Sequence, residues 1–208
     1  ASLAGLMGWY VGQRTTPGGP VAQRFDQFTQ LTDDSGAETM PRVSPDGASF
    51  AFVKRVGGSD DIFVQRTGGR QPIAVAADPN RNEHWPAFSP DGKFIASNES
   101  DADGGIFITG ATGESERRLT DIGFNPAWSP DGKTIAFAAE HVINPYIRDG
   151  LTQLYLVDAA GGAPRVITKL DSVQPAWSRS GRRIAACQAN GGQRDLVTMA
   201  ADGTDRVV

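Results

Sequence analysis

Short apolar runs separated by glycine-bearing turns fill the chain from residue 28 onward, and they recur in one fixed order. A first run reads Pro41-Arg42-Val43, Trp85-Pro86-Ala87-Phe88, Asn125-Pro126-Ala127-Trp128 and Gln174-Pro175-Ala176-Trp177. Each is followed by a tetrapeptide, Ser-Pro-Asp-Gly at residues 44–47, 89–92 and 129–132 and the decayed Ser-Arg-Ser-Gly at 178–181. Proline presets φ for the first central turn position, Asp tolerates the next and Gly supplies positive φ, so the tetrapeptide predicts a tight hairpin. A second run follows: Phe50-Ala51-Phe52-Val53, Phe94-Ile95-Ala96, Thr134-Ile135-Ala136-Phe137 and Arg183-Ile184-Ala185-Ala186. The third runs, Ile62-Phe63-Val64, Ile106-Phe107-Ile108, Leu154-Tyr155-Leu156 and Leu196-Val197, are continuously apolar, as in a strand buried on both faces. Beyond further glycine turns, residues 72–75, 118–120, 165–168 and 206–208 predict a fourth strand. The unit returns every 40 to 50 residues or so, a period that belongs to propeller blades. Residues 28–32 add one expected fourth-type strand ahead of the first unit.

The residues Ala-Trp-Ser-Pro-Asp-Gly-Lys-x-Ile-Ala-Phe at 127–137, with the strand leading to Asp-Ala-x-Gly-Gly at 158–162, resemble the TolB-type, WD-repeat-like β-propeller. The resemblance covers 28 to the C-terminus and recurs in register four times. It implies an all-β fold, a β-propeller of four-stranded antiparallel blades, and a protein-interaction or sensor module that is often periplasmic. Such propellers are sometimes fused to a peptidase or a membrane-bound kinase. Relatives usually have six blades, whereas four units and a leading strand are legible here. A closed four-bladed ring is one solution; the other is an open arc, which would leave an apolar blade face and strand edges at each end that need cover.

Residues 1–12 differ in kind. They are apolar apart from one serine, and Trp9 and Tyr10 stand next to the polar exit at Gln13-Arg14, in the manner of the interfacial end of a membrane helix. Leu3, Leu6, Met7, Trp9 and Tyr10 are the expected anchor of a helical segment. Twelve residues at about 1.5 Å each fall short of a hydrocarbon core near 30 Å, so the segment alone would not span. Residues 13–27, with Thr16-Pro17-Gly18-Gly19-Pro20, form a linker, and 28–208 are the propeller.

Composition fits an all-β body: Gly 25, Pro 13, charged residues 21% and a net charge of −4, which disfavours nucleic acid as a partner. The one cysteine, Cys187, cannot form an internal disulfide and reads as a small residue within a strand. No serine has glycine at both −2 and +2, and HExxH and Walker signatures are absent from the sequence, so no catalytic residue and no cofactor are assigned. Asp101 and Asp103 sit in an acidic turn that could hold calcium, but the spacing beyond them fails the EF-hand pattern and a plain hairpin is the better reading. Trp128 and Trp177 occupy equivalent repeat positions, which points to packing between blades.

In a meander, the connections before strand one and after strand two emerge on the same face. Carboxylates outnumber cations on that face, and cations outnumber carboxylates on the other. The linker attaches on the basic side, which would meet a membrane, leaving the acidic face pointing away. The longest connection on the acidic face, residues 140–150, carries His141, Val142, Ile143, Tyr146, Ile147 and Arg148, the mixture that interface cores favour. Arg81, His84 and Trp85 come from the neighbouring connection, and together these residues form the expected partner site. The alternative is that the insertion folds over the channel mouth and packs its own apolar residues. The expected function is thus a non-catalytic, membrane-tethered scaffold propeller with other protein subunits as partners, in an assembly of the respiratory or photosynthetic kind. The alternatives are the extracytoplasmic sensor of a receptor kinase and the propeller portion of a prolyl-oligopeptidase-like enzyme.

Overall fold

The computed structural model describes residues 28–100, 104–140, 151–190 and 193–208, and its compact body runs from Leu31 to Val208. Every regular element among the described residues is a β-strand. Blade one holds β1 (Glu38–Val43), β2 (Ser49–Val56), β3 (Ser59–Arg66) and β4 (Ile73–Ala76). Blade two holds β5 (Glu83–Phe88), β6 (Phe94–Glu99), β7 (Ile106–Gly110) and β8 (Arg117–Arg118), and blade three β9 (Phe124–Trp128), β10 (Thr134–Ala138), β11 (Leu154–Asp158) and β12 (Arg165–Val166). Blade four holds β13 (Ser172–Trp177), β14 (Arg183–Asn190) and β15 (Gln193–Ala200), with a single Thr198–Val207 bridge where a fourth strand was expected. Each sheet is an antiparallel meander in chain order. The expected four-blade propeller is what the chain forms.

The repeated tetrapeptide earns its place through side-chain bonds as well as backbone geometry. In each intact copy the serine hydroxyl donates to the turn aspartate at 2.6 Å: Ser44 to Asp46, Ser89 to Asp91, Ser129 to Asp131. The same serine oxygen accepts from the first residue of the next strand, Ser49, Phe94 or Thr134, at 2.9–3.0 Å. Each aspartate also accepts a backbone N–H two residues on, at 3.0–3.1 Å. These bonds, the serine hydroxyl first, hold the three carboxyls below the usual aspartate range. In the decayed turn Ser180 replaces the aspartate, and only a 3.2 Å contact between the Ser178 and Ser180 hydroxyls and a 3.5 Å bond from Arg182 N–H remain around it.

Blades pack through three apolar seams of one design. The side of each blade that faces the next carries small residues and third-strand aliphatics: Ala51, Val53, Ile62 and Val64 in blade one, Ala96, Ile106 and Ile108 in blade two, Ala136, Ala138, Leu154 and Leu156 in blade three. The following blade brings bulk: Phe88 and Ile95, then Trp128, Ile135 and Phe137, then Trp177 and Ile184. Trp128 donates its indole N–H to the Ala87 carbonyl at 3.0 Å, and Trp177 to Ala127 at 3.1 Å.

Residues 28–32 form no strand. They take no place beside the third strand of blade one, which is bonded on one edge by β2 and on the other by β4. The stretch is held by side chains instead: Gln65 Nε2 donates to the Leu31 carbonyl at 2.7 Å, and Lys54 Nζ lies 2.5 Å from Asp34. The anchor residues Leu3, Leu6, Met7, Trp9 and Tyr10 lie outside the described residues.

Ser129→Ala removes two bonds from an intact turn, each worth about 1 kcal/mol. It is expected to lower the melting temperature by several degrees, about 2–4 °C per kcal/mol in a chain of this size. Ser178→Ala, in the decayed turn, is expected to cost less in the same thermal scan. Because the Asp131 carboxyl is depressed, its share of turn stability is present at neutral pH and lost as pH falls through its lowered value, so the deficit of Ser129→Ala should narrow in acid.

Candidate functional site

A charged seam at the entry to β5 stands apart from the apolar ones. The connection from β4 delivers Asp78 and Arg81, and β5 opens with Glu83, His84 and Trp85. Arg81 Nη2 lies 2.5 Å from Glu116 Oε1, and its Nε is 3.2 Å from Asp78 and 3.4 Å from Glu83. The guanidinium stacks 4.4 Å from the Phe107 ring centroid, with Arg118 5.6 Å from the same ring. Aromatic stacking and three carboxylates together fix an arginine that would otherwise be costly to bury.

Glu83 is 1% exposed. Burial pushes its carboxyl up to about 7, against the opposing pull of Arg81; Asp61 and Glu116 push it further in the same direction. His84 Nε2 is 3.0 Å from Asp60 Oδ2, and Asp60 also pairs with Arg55 at 3.1 Å and donates its N–H to Asn82. Blades one and two are therefore joined by a His–Asp contact here. Among the described residues, the partner of the His84 ring is the Asp60 carboxylate.

Several buried polar atoms nearby have no hydrogen-bond partner among the described residues: Glu38 Oε1, Asp61 Oδ1, Glu83 Oε2, His84 Nδ1, Trp85 Nε1 and both amide atoms of Asn125. Trp85 and Asn125 occupy the same place in successive blades, together with Met40 and Gln174. All four have φ between 53° and 56°, immediately before a proline, and the first-strand register shifts at each. Left-handed backbone at a non-glycine residue often marks a functional site. Its return in all four blades identifies it here as the bulge of the innermost strand, which re-aims one side chain per blade. Recurrence also accounts for the clefts on the turn side. A cavity of about 600 Å³ beside Arg66 and Phe88 has counterparts of about 500 Å³ beside Arg117 and Trp128 and about 470 Å³ beside Arg165 and Trp177.

Of the residues expected at the partner site, Arg81, His84 and Trp85 are brought together at the head of β5. His141, Val142, Ile143, Tyr146, Ile147 and Arg148 lie outside the described residues, as do Asp101 and Asp103. The described residues hold no cluster of three metal-ligating side chains. Glu83, Asp60 and Glu116, which complete the charged seam, were counted in the sequence only as surface charge. The available signal was positional: Glu83 stands where Glu38 stands in blade one, two residues ahead of the bulge.

The raised carboxyl fixes the sign of a pH effect. A glutamate ordinarily near 4.5 that rises to about 7 on folding favours the folded state while protonated. That contribution is complete below the unfolded value and is lost as pH climbs through about 7. Glu83→Gln is expected to flatten the fall in melting temperature across this window and to melt above the parent protein at pH 8. A lower melting temperature for the variant at pH 8 would show that the Glu83 charge is needed by Arg81.

The sequence profile of the TolB beta propeller domain matches residues 25–208. A structure assigned to TolB from Agrobacterium tumefaciens superposes with a TM-score of 0.69 at 26% identity, covering 84% of this chain and 66% of that one. Among curated relatives, an uncharacterized protein of Agrobacterium fabrum is 28% identical over 118 residues, 56% of this chain and 39% of its own. An uncharacterized peptidase of Bacillus subtilis is 32% identical over 108 residues, 47% of this chain and 16% of its own. The chain thus spans well under half the length of the curated relatives it matches. Four meander blades, three seams of one design and a profile match from residue 25 to residue 208 lead to one assignment: this chain belongs to the TolB β-propeller family.

Proposed function

We propose that the chain is a non-catalytic protein-interaction propeller, extracytoplasmic and held at a membrane by residues 1–12, serving as an accessory subunit of a larger membrane assembly. The observation that carries the reading is the charged seam of Arg81, Glu83, His84 and Trp85, where buried donors and acceptors stand without partners among the described residues. Such groups are costly unless something satisfies them. The partner site extends in this reading to His141, Val142, Ile143, Tyr146, Ile147 and Arg148 on the same acidic face, and the basic face lies toward the lipid. No helix among the described residues is long and apolar enough to cross a membrane, so the tether rests on Leu3, Leu6, Met7, Trp9 and Tyr10.

The likeness to the Bacillus subtilis peptidase favours a second reading, in which the propeller is one part of a longer hydrolase.

Removal of residues 1–12 is expected to release the protein from membranes, read by sedimentation with vesicles stripped of other proteins. Continued sedimentation would overturn the tether. Tyr146→Ala with Arg148→Ala is expected to weaken capture of the partner subunit from mild-detergent extracts while the melting temperature holds. Unchanged capture, or a large drop in melting temperature, would instead make the 140–150 insertion a plug of the channel. Hydrolysis of aminoacyl nitroanilides by a longer natural protein that carries this propeller would favour the peptidase reading.

A further inference from the structure

Three hairpin turns satisfy their donors with an aspartate, and the fourth does not. Ser180 stands in the place of Asp46, Asp91 and Asp131, and Arg179 in the place of the proline before them. The backbone has nonetheless kept the shape of an intact turn: Gly181 has φ 69°, against 71–72° at Gly47, Gly92 and Gly132. Its N–H donates to the Ser178 carbonyl at 2.9 Å, and Ser178 Oγ accepts the Arg183 N–H at 3.1 Å, as the other turn serines do from the same position. The Ser178 hydroxyl and the Arg182 N–H thus sit as their counterparts do, but the group they meet is a neutral hydroxyl at 3.2 and 3.5 Å. In the intact turns it is a carboxylate at 2.6 and 3.0–3.1 Å.

Charge changes with it. The turns at 89–93 and 129–133 each hold one carboxylate and one ammonium, whereas the turn at 178–182 holds two exposed guanidiniums, Arg179 and Arg182, and no carboxylate. Ser180 and Arg165 line one cleft of about 470 Å³ between blades three and four, walled by Trp177 and Leu156. Its counterparts in the first two seams are lined by two turn aspartates each, and this one by Asp131 alone. Asp131 is already engaged by the Ser129 hydroxyl and the Lys133 N–H. Arg165 acts in part on Asp202, whose carboxyl is held low first by the Thr204 hydroxyl and N–H and last by this arginine. We propose that this cleft binds a phosphomonoester, with the phosphate seated at the Ser178–Arg182 turn where an intact turn holds its carboxylate and the organic part lying along Trp177. Two hydroxyls, a backbone N–H and the guanidiniums of Arg165, Arg179 and Arg182 offer more donors than the two oxygens of a carboxylate can take, and a near-dianion with three terminal oxygens suits them better. The cleft is larger than a phosphate needs and falls in the range of small-molecule sites, roughly 300–1,000 Å³. Because the Trp177 indole N–H is committed to the Ala127 carbonyl, that residue offers its ring and not a donor. The inference rests neither on the membrane tether nor on the partner site at β5.

The intact turns supply the competitor. Ser180→Asp puts a carboxylate back between the Ser178 hydroxyl and the Arg182 N–H, so the variant is expected to melt no lower than the parent chain. Its affinity for glycerol phosphate, read by calorimetric titration of the full chain, is expected to fall by about tenfold or more, the loss of one or two charge-assisted bonds. Arg165→Gln is expected to weaken the same binding, and Arg117→Gln, in the equivalent cleft of the second seam, to leave it unchanged. The phosphomonoester can be a soluble molecule or a lipid headgroup, and sedimentation with vesicles separates the two. A preference for vesicles carrying phosphatidic acid over neutral vesicles that Ser180→Asp abolishes assigns the headgroup; titration sensitive to Ser180→Asp without that preference assigns a soluble ligand. Absence of binding, or equal affinity in the parent and Ser180→Asp, overturns the inference. Displacement of glycerol phosphate by chloride or acetate at equal concentration would reduce the site to unspecific charge and overturn it as well. A drop in melting temperature for Ser180→Asp would do the same, since the turn would then not be built like the other three.

Discussion

The packing of a bulky blade face onto a small-residue one is the interaction on which everything else in this chain depends. A four-stranded meander has two faces and cannot bury both alone, so each blade is stable only as a neighbour. The seam solves this with complementary sizes. Ala96 and Ala136 leave room on one side, and Ile135, Phe137 and Ile184 fill it from the other, each fully buried aliphatic contributing about 1.5–3 kcal/mol. The indole bonds from Trp128 and Trp177 add direction to an otherwise slippery contact, because an N–H must meet its carbonyl. The hairpin turns keep the same pitch: a Cβ on Gly92, Gly132 or Gly181 would stand 3.7–3.8 Å from the proline ring of the preceding turn, so each turn lies at van der Waals distance from the one before it.

Against that regularity the seam between blades one and two is an exception of charge. Its apolar half, with Phe88 and Ile95, follows the common design, while its other end replaces packing with Arg81, Glu83, His84 and Asp60. Burying charges costs several kcal/mol per ion before pairing returns part of it, so such a cluster adds less to stability than the apolar packing it replaces. The protonatable Glu83 and the unpartnered atoms beside it fit a surface arranged for a binding partner. The strained residues before the prolines carry no such implication, since all four blades share them.

The order of strands, the four-blade count, the hairpin turns and the packing role of Trp128 and Trp177 could all be read from residues 28–208, because each rests on local chemistry repeated in register. A Pro-Asp-Gly turn needs no distant partner, and an apolar triplet announces burial wherever it lies. Residues 28–32 misled for the complementary reason: their composition suits a strand, but a strand also needs a partner, and none of the four sheets takes them in. The candidate site was half legible. Arg81, His84 and Trp85 stood out as a polar and aromatic group in one connection, whereas Asp60 joins them only when blades one and two meet, and Glu116 only when blade two folds and brings it, thirty-five positions on, within an ion-pair distance of Arg81. The raised carboxyl of Glu83 is likewise a tertiary fact. It is set by which atoms of other blades come near or stay away, and a one-dimensional pattern fixes a residue's face without fixing what stands opposite it.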